Sequence, residues 1–363
     1  MREEPRIARE MLRACLQEEY GLVPATIDFL PIGRDINAGV YRVLSEKGAP
    51  YLLKIKSGEF YAASCIVPRY LSDHGIEPVI AALRTRTKGL WAPVAGWTVL
   101  VYPYLEGNTG WTAMSEEHWK TTGTIFRRIH DVALPPGGFD GVRRETLDPS
   151  GYARSIENLE RRLATFGDGD RKSELALRGA WAEHRSTIHA LLTAMDKLAG
   201  VLQLQTRPHV ICHADLHPGN LLRDRDANVF VVDWDDVMLA PRERDFIFAG
   251  EPEHGSRHSG SPFFQGYGQT DIDWTLLTYY RYERVITDLI EDAQQVILRE
   301  DLGDDAKAEA ARQFRASLEG RNFEAAQAAA AHIPEHLTVQ GIGRRDGGSI
   351  PRPRQGRARP RRR

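Results

Sequence analysis

The sequence predicts an α+β chain with two lobes, a small antiparallel sheet followed by a mainly helical region. Three observations carry this prediction. Short strand-like runs bounded by turn residues dominate the first part of the chain. Helical periodicity dominates the second part. A single strand-and-loop stretch at 209–235 interrupts the helices. We therefore expect an N-terminal lobe over 1–104, ending near a hinge, and a C-terminal lobe over 105–335.

The N-terminal lobe is expected to begin with an amphipathic helix at 5–20, because its apolar residues fall on one stripe. A second helix is expected around 60–73. Pro103 and Gly107 mark a break after the last strand. The strands of this lobe are predicted at 26–32, 39–45, 51–55, 89–94 and 97–104.

The C-terminal lobe is expected to be built from long helices, with the stretch 209–235 as the exception. No internal repeat is visible. The helices are predicted at 115–133, 150–166, 171–202, 271–299 and 303–331.

The C-terminal tail, 336–363, is rich in Arg, Pro and Gly and cannot bury a core. Residues 341–363 carry a charge of +8, which leaves −10 on residues 1–340. We expect a disordered terminus or an irregular reading-frame end, with a nucleic-acid patch as the alternative. The acidic body disfavours nucleic acid as a partner and favours a cationic small molecule.

Composition argues against a membrane protein and against a disulfide framework. The longest apolar stretch, 97–105, is too short for a membrane span, and no signal-peptide pattern begins the chain. Cytoplasm is therefore the expected location. Cys15, Cys65 and Cys212 are too few and too widely spaced for a disulfide framework or a zinc site. The oligomeric state stays open.

The stretch 213–233 contains a trio of residues suited to phosphoryl transfer. Asp215 is followed by Asn220 five residues later, and Asp233 ends an apolar strand-like run. An Asp can accept the proton of an attacking hydroxyl, while Asn and a second Asp offer oxygen ligands to Mg²⁺. The spacing equals that of the protein-kinase catalytic loop, H-R-D-x-x-x-x-N. We expect Asp215 to be the catalytic base and Asn220 and Asp233 to hold Mg²⁺.

Polar residues around the trio extend this hypothesis. His213 is expected to brace the loop, and the role of His217 is left open. Asp235 and Asp236 form a cluster of carboxylates with Asp233, which is costly unless a cation is present. We expect them to line the acceptor pocket, with a solvated turn as the alternative.

The run 51–56 is typical of a buried strand, yet it contains Lys54 and Lys56. A lysine there needs an anion, and nucleotide phosphates are the expected partner. Both lysines face the same side of the strand, so their spacing does not distinguish them. We favour Lys54, with Glu59 as the nearest acidic residue that could orient it.

Two loops of the N-terminal lobe are candidates for nucleotide binding. The loop with Gly33 and Asn37 could fold over phosphates, although it would also serve as a plain hairpin loop. The linker with Tyr102 and Tyr104 could hydrogen-bond an adenine through its backbone. The sequence does not distinguish ATP from GTP.

These residues, taken together, resemble the aminoglycoside phosphotransferase and choline kinase-like family. The segments Val232–Asp245, Phe264–Gly268 and Tyr279–Arg284 are similar to the spectinomycin phosphotransferases within it. The general resemblance covers about residues 5–330. In this family a helix glutamate pairs with the strand lysine, whereas Ala62 and Ala63 occupy the corresponding turn here. The Arg-rich tail has no counterpart in the family pattern.

The resemblance implies a bilobal, protein-kinase-like fold and an enzyme that phosphorylates a small-molecule hydroxyl. It implies that Lys54 meets the nucleotide phosphates and that Asp245 accepts backbone N–H groups of the catalytic loop. It adds Glu283 to the candidate acceptor ligands. The implied acceptor is spectinomycin, a cationic aminocyclitol phosphorylated at position 9, and the implied outcome is antibiotic resistance.

Three alternatives remain at this point. The first is a kinase of another small cationic metabolite, of the choline, homoserine or amino-sugar type. The second is a nucleotide-binding module without transfer activity, and the third is a nucleic-acid binder that uses the Arg-rich tail. A protein kinase is disfavoured, because D-F-G and A-P-E are absent from the sequence.

Overall fold

The computed structural model describes residues 4–33, 37–111, 114–167, 169–249, 261–300 and 302–342. The helices in this part of the chain are α1 (Arg9–Tyr20), α2 (Ala63–Asp73), α3 (Glu116–Asp131), α4 (Ser150–Leu163), α5 (Lys172–Leu202), α6 (Pro262–Tyr267), α7 (Trp274–Leu298), α8 (Asp304–Glu319) and α9 (Arg321–Ala330). The strands are β1 (Pro24–Leu30), β2 (Ala38–Ser45), β3 (Pro50–Ser57), β4 (Ala92–Val94), β5 (Trp97–Pro103), β6 (Gly107–Thr109), β7 (Arg143–Arg144), β8 (Val210–Cys212), β9 (Leu221–Asp224), β10 (Val229–Val231) and β11 (Met238–Ala240).

The chain divides into two compact units. The first holds Met1–Glu145, His209–Ala249 and Pro262–Gln269, and the second holds the remainder. The predicted α+β class, with an antiparallel N-terminal sheet and a helical C-terminal region, is confirmed. The predicted lobe boundary near residue 104 stays a prediction. No helix among the described segments is long and apolar enough to cross a bilayer.

A five-stranded antiparallel sheet, in the order β1-β2-β3-β5-β4, forms the first part of unit one. The alternation along β3 sends Leu53 and Ile55 into a core under α1. Lys54 pairs with Leu100 of β5, whose side chain lies in a different cluster with Cys65 of α2. The sheet therefore presents its lysines on the face opposite α1.

Two smaller sheets carry the loops of unit one. Strands β10, β9 and β6 form one sheet, and β7, β11 and β8 form the other. The segment after β6 approaches the loop after β8 closely: a Cβ on Gly110 would lie 2.6 Å from the carbonyl oxygen of Pro218. The Gly110 N–H donates to that same oxygen at 2.9 Å. A glycine at this position allows the approach.

Unit two consists of helices α4, α5, α7, α8 and α9 among its described residues. Trp181 of α5 stacks on Phe314 of α8 with ring centroids 5.3 Å apart. Glu160 receives hydrogen bonds from Trp181 and Arg185 at 3.1 and 2.9 Å. Burial alone would raise the pKa of Glu160, but these hydrogen-bond partners outweigh it and lower the pKa to about 2.

The structure corrects several predicted elements. The single helix predicted at 303–331 is two helices, α8 and α9, because Gly320 between them is extended and glycine favours a break. The first helix begins at Arg9 instead of residue 5, since Ala8 is extended. Strand β4 is three residues long, and a turn at 85–89 replaces the start of the predicted strand. The short elements β6, β7, β11 and α6 were not predicted. Residues 343–363 of the expected tail lie outside the described residues.

Candidate active site

The loop after β8 is fixed by a buried carboxylate. Asp245 accepts the backbone N–H of His213 through Oδ2 at 2.9 Å and that of Ala214 through Oδ1 at 2.8 Å. Ala214 has a positive φ of 68°, a conformation that L-residues rarely adopt. The two hydrogen bonds hold this turn in place. They are the contacts with backbone N–H groups that the family resemblance implied for Asp245.

A second layer supports Asp245. His130 Nε2 lies 3.1 Å from its Oδ2, and His130 Nδ1 lies 2.9 Å from the hydroxyl of Tyr267. A neutral imidazole satisfies both contacts when Nε2 donates to the carboxylate and Nδ1 accepts from the tyrosine. Sequence reasoning missed His130, which is 115 residues from Asp245 in the chain. Its position in the last turn of a helix gave no signal.

His213 connects the loop to the chain before Asp233. Its Nε2 donates to the carbonyl of Val232 at 2.9 Å, and its Nδ1 accepts the N–H of Asp215 at 3.3 Å. The side chain is buried beside the ring of Trp234, at a centroid distance of 4.7 Å. These contacts are those of a bracing residue.

Hydrogen bonds join Asn220 to Asp215 and to Val232, the residue before Asp233. The Asn220 amide nitrogen donates to the backbone carbonyl of Asp215 at 2.8 Å and reaches its carboxylate at 3.3 Å. The Asn220 carbonyl accepts from Val232, the residue before Asp233, at 3.0 Å. Because the Asn220 nitrogen is committed to Asp215, the amide oxygen is the atom that can face a cation.

His217 adds a further group beside Asp215. Its Nε2 lies 3.4 Å from Asp215 Oδ2, and its Nδ1 accepts from Gly219 at 2.9 Å. The indole of Trp111, which is 66% exposed, stacks on its ring. Sequence reasoning left His217 open and missed Trp111.

Lys54 lies opposite this loop and pairs with two carboxylates. Its Nζ is 2.8 Å from Asp233 Oδ1 and 2.9 Å from Asp235 Oδ2. Burial alone would favour the neutral amine, but Asp233 and Asp235 outweigh it and raise the pKa of Lys54. The expected partner Glu59 is exposed. The carboxylates that contact Lys54 therefore come from the strand-and-loop region and not from the segment before α2.

Lys56 shares the second of these carboxylates. Its Nζ is 2.8 Å from Asp235 Oδ2, so both lysines of β3 meet one oxygen. Burial would raise the pKa of Asp235, but Lys54 and Lys56 lower it to about 2. The Asp235 carboxylate is thus ionised at neutral pH and held on the lysine face of the sheet.

Asp236 points to a different neighbour. Its Oδ1 is 3.6 Å from Arg143, whose guanidinium stacks 4.1 Å from the ring centroid of Tyr61. Partial desolvation and the charges of Asp215 and Asp235 raise the pKa of Asp236. Because 60% of its side chain is exposed, we expect this rise to be small.

Of the two predicted nucleotide loops, the one between Gly33 and Asn37 is partly described, and the linker with Tyr102 and Tyr104 is described throughout. Gly33 has a φ of 82°, and the carbonyl of Asn37 accepts from the backbone N–H of Ser57 at 2.7 Å, which continues the pairing of β2 with β3. Residues 34–36 between them lie outside the described residues. Tyr102 packs on the cluster with Cys65, and Arg42 lies 5.2 Å from the ring centroid of Tyr104. The nucleotide-binding roles of these four residues stay predictions.

Glu283 belongs to unit two. It lies buried on α7 and accepts a hydrogen bond from the hydroxyl of Tyr152 at 2.9 Å. Its predicted contact with the acceptor stays a prediction.

The fold and the site together define a small-molecule phosphotransferase. Residues 28–281 match the model of a phosphotransferase enzyme family. The chain belongs to this family, as the resemblance of its motifs indicated.

Solved structures agree with this assignment. Spectinomycin phosphotransferase in complex with ADP and spectinomycin is 27% identical, with a TM-score of 0.77, over 90% of this chain and 99% of that one. Its AMP-bound complex gives 26% identity and a TM-score of 0.73 over the same shares. Amicoumacin kinase in complex with AMP-PNP, Ca²⁺ and its ligand is 18% identical, with a TM-score of 0.55, over 86% and 93%, and shows the fold alone. A comparison with curated protein sequences found no match.

Proposed function

We propose that the protein is an ATP-dependent O-phosphotransferase that phosphorylates a hydroxyl of spectinomycin and thereby gives resistance. The observation that carries the reaction type is the hydrogen-bonded trio of Asp215, Asn220 and the chain before Asp233, with Lys54 opposite it. The acceptor is inferred from the 27% identity to spectinomycin phosphotransferase over nearly the whole of that protein.

Asp215 acts as the base in this proposal. As the acceptor oxygen bonds to the γ-phosphorus, its proton passes to the Asp215 carboxylate. The bond from the γ-phosphorus to the bridging oxygen breaks, and the electron pair leaves on ADP. Asn220 fixes the carboxylate through its amide nitrogen. Most of the rate comes from this positioning and from charge neutralisation, because phosphoryl transfer needs little covalent help from the protein.

The donor set of the site fits Mg²⁺. The Asn220 amide oxygen and the Asp233 carboxylate are hard oxygen ligands of the kind that Mg²⁺ prefers. These two residues would hold the ion, which supplies charge neutralisation at the nucleotide phosphates when it is bound. An ammonium already lies 2.8 Å from Asp233, which indicates that this carboxylate suits a cation.

The nucleotide is assigned to the lysine face of the sheet. Lys54 contacts the phosphates, the loop at Gly33 and Asn37 covers them, and the backbone at Tyr102 and Tyr104 holds the base. GTP in place of ATP is an outcome that a nucleotide titration decides.

The acceptor is cationic, and the acidic candidates for it are Asp235, Asp236 and Glu283. Asp236 is the best placed of the three to meet the acceptor. Its side chain is exposed, and it is close enough to Asp215 for the charge of Asp215 to raise its pKa. Phosphate on a ring hydroxyl adds bulk and negative charge, which should abolish ribosome binding.

A panel of acceptors with labelled ATP tests the proposal. Transfer to spectinomycin, and not to choline, homoserine or amino sugars, is the expected result. Transfer to one of the metabolites but not to spectinomycin would make the protein a metabolite kinase. Nucleotide binding without turnover on any acceptor would support a binding module instead.

A further inference from the structure

We propose that Asp235 is the positioning partner of Lys54 and so takes the place of the helix glutamate that kinases use for this purpose. The inference rests on the proposed function, since it assigns Lys54 to the nucleotide phosphates. In protein kinases the strand lysine must be paired with a glutamate of the following helix for the site to be active. In this chain the carboxylate comes instead from the residue two positions after Asp233.

Helix α2 cannot supply the carboxylate. Its first turn contains no acidic residue, and its single acidic residue, Asp73, lies at its C-terminal end. Asp73 is already paired with Arg69 and Arg84 at 2.7 Å each. The residue that α2 sends toward the sheet beside Leu100 is the buried Cys65.

Asp235 meets the requirements of such a partner. Its Oδ2 lies 2.9 Å from Lys54 and 2.8 Å from Lys56, and its side chain is 29% exposed. Lys54 also contacts Asp233, but Asp233 is a proposed metal ligand. Its charge is therefore committed elsewhere once the metal-bound nucleotide enters. Asp235 remains as the fixed counter-charge that keeps Lys54 in place.

The turn that carries Asp235 is anchored independently of the lysines. Trp234 is buried, and its ring packs against His213. Asp233, on one side of it, has a φ of 63°, and Asp235 follows on the other side. With Trp234 held in the core, both flanking carboxylates reach the same ammonium group. The position of Asp235 is thus set by packing before any nucleotide binds.

The test compares Asp235→Asn with Asp236→Asn, the same chemical change one residue further on. We expect Asp235→Asn to lower kcat roughly 10- to 100-fold, the cost of a misplaced reacting group, with the KM for the acceptor unchanged. Asp236→Asn should instead raise the acceptor KM and leave the lysines undisturbed. A rise in acceptor KM alone in Asp235→Asn would overturn the inference and make Asp235 an acceptor ligand.

A second readout does not depend on turnover. In Asp235→Asn, Asp233 alone of the two carboxylates still contacts Lys54, so the lysine side chain should be held less firmly and be more accessible to a reagent. An amine-reactive probe, followed by peptide mass spectrometry, should therefore label Lys54 several-fold faster in Asp235→Asn than in the unmodified protein or in Asp236→Asn. Equal labelling rates in all three would overturn the inference. If spectinomycin is not phosphorylated at all, the proposed function fails, yet the labelling rates still decide the role of Asp235.

Asp235→Glu is a control that separates the loss of the carboxylate from a folding defect. Thermal unfolding identifies a variant that has lost its structure. Asp235→Glu keeps a carboxylate near both lysines, so we expect labelling close to that of the unmodified protein and a smaller loss of kcat than in Asp235→Asn. Fast labelling in a folded Asp235→Glu, or a change confined to its acceptor KM, would contradict the inference.

Discussion

The loop after β8, which carries Asp215 and Asn220, and the face of the sheet that carries Lys54 and Lys56 are built in different ways. The loop is held by buried hydrogen bonds: Asp245 binds two backbone N–H groups, and His213 joins the loop to the strand. The lysine face is held by ion pairs among Lys54, Lys56 and the carboxylates of Asp233 and Asp235. Buried hydrogen bonds fix a geometry, whereas partly solvated ion pairs can exchange partners. The proposed base therefore lies in a loop with a fixed geometry, whereas the proposed phosphate-binding lysines lie in ion pairs that a nucleotide could rearrange.

The largest expected effect is at the loop. Asp215→Asn removes the proposed base but keeps its shape, so kcat should fall by about 10³-fold, within the range of general-base catalysis. Nucleotide affinity should be unchanged, because the lysine face is intact. Steady-state kinetics and calorimetric titration with nucleotide measure the two quantities. Asp226→Asn, at an exposed turn, is the matched control, and an equal kcat in both variants would remove Asp215 from the role of base.

The next prediction concerns Asp233, which belongs to the ion pairs with Lys54. Asp233→Asn removes a charged metal ligand, so the Mg²⁺ concentration for half-maximal rate should rise by at least roughly tenfold, since even outer-shell changes at metal sites cost that much. A titration of the rate with Mg²⁺ measures this. An unchanged requirement would assign Asp233 to a capping role.

Removing the Asp245 carboxylate, which supports the loop, should lower the free energy of unfolding of the protein. Asp245→Ala leaves the N–H groups of His213 and Ala214 buried without their acceptor, and we expect a loss of about 3 kcal/mol in the free energy of unfolding. Denaturant unfolding measures the loss. Asp245→Asn retains one acceptor and should lose less. Equal stabilities of all three proteins would show that the loop does not depend on this carboxylate.

The smallest expected effect is a pH dependence of the lysine face. Lys54 and Lys56 lower the pKa of Asp235 to about 2 from an ordinary value of 3.8. The stabilisation by this ion pair is therefore fully present above about pH 4 and is lost as the pH falls toward 2. After allowance for solvent screening it amounts to about 1 kcal/mol. The difference in unfolding free energy between the unmodified protein and Asp235→Asn should be constant from pH 7 to 5 and shrink below pH 4. A difference that grows on acidification would contradict the assignment.

The sequence predicted the residues that depend on local spacing. Asp215 and Asn220 are five residues apart in one loop, and the side chain of Asn220 reaches the backbone of Asp215 directly. Lys54 and Lys56 share a face because of the two-residue period of a strand, and both indeed reach Asp235. Contacts of this kind can be predicted because they depend only on the spacing of residues within one loop or one strand.

The contacts that could not be predicted join distant parts of the chain. The partner of Lys54 is 181 residues away, and His130 is 115 residues from Asp245. No local pattern encodes such pairs, because tertiary packing alone brings them together. The break between α8 and α9 was missed for another reason: helical periodicity continues through Gly320, and a single glycine is often tolerated in a helix.

We propose that Asp215 directs phosphoryl transfer to a hydroxyl of spectinomycin. Phosphorus and proton NMR of spectinomycin incubated with ATP, Mg²⁺ and the protein tests it most directly. We expect one phosphomonoester on a ring hydroxyl with the unmodified protein, at position 9, and no detectable product with Asp215→Asn over the same period. The absence of phosphorylated spectinomycin with the unmodified protein, or the same product at the same rate with Asp215→Asn, would contradict it.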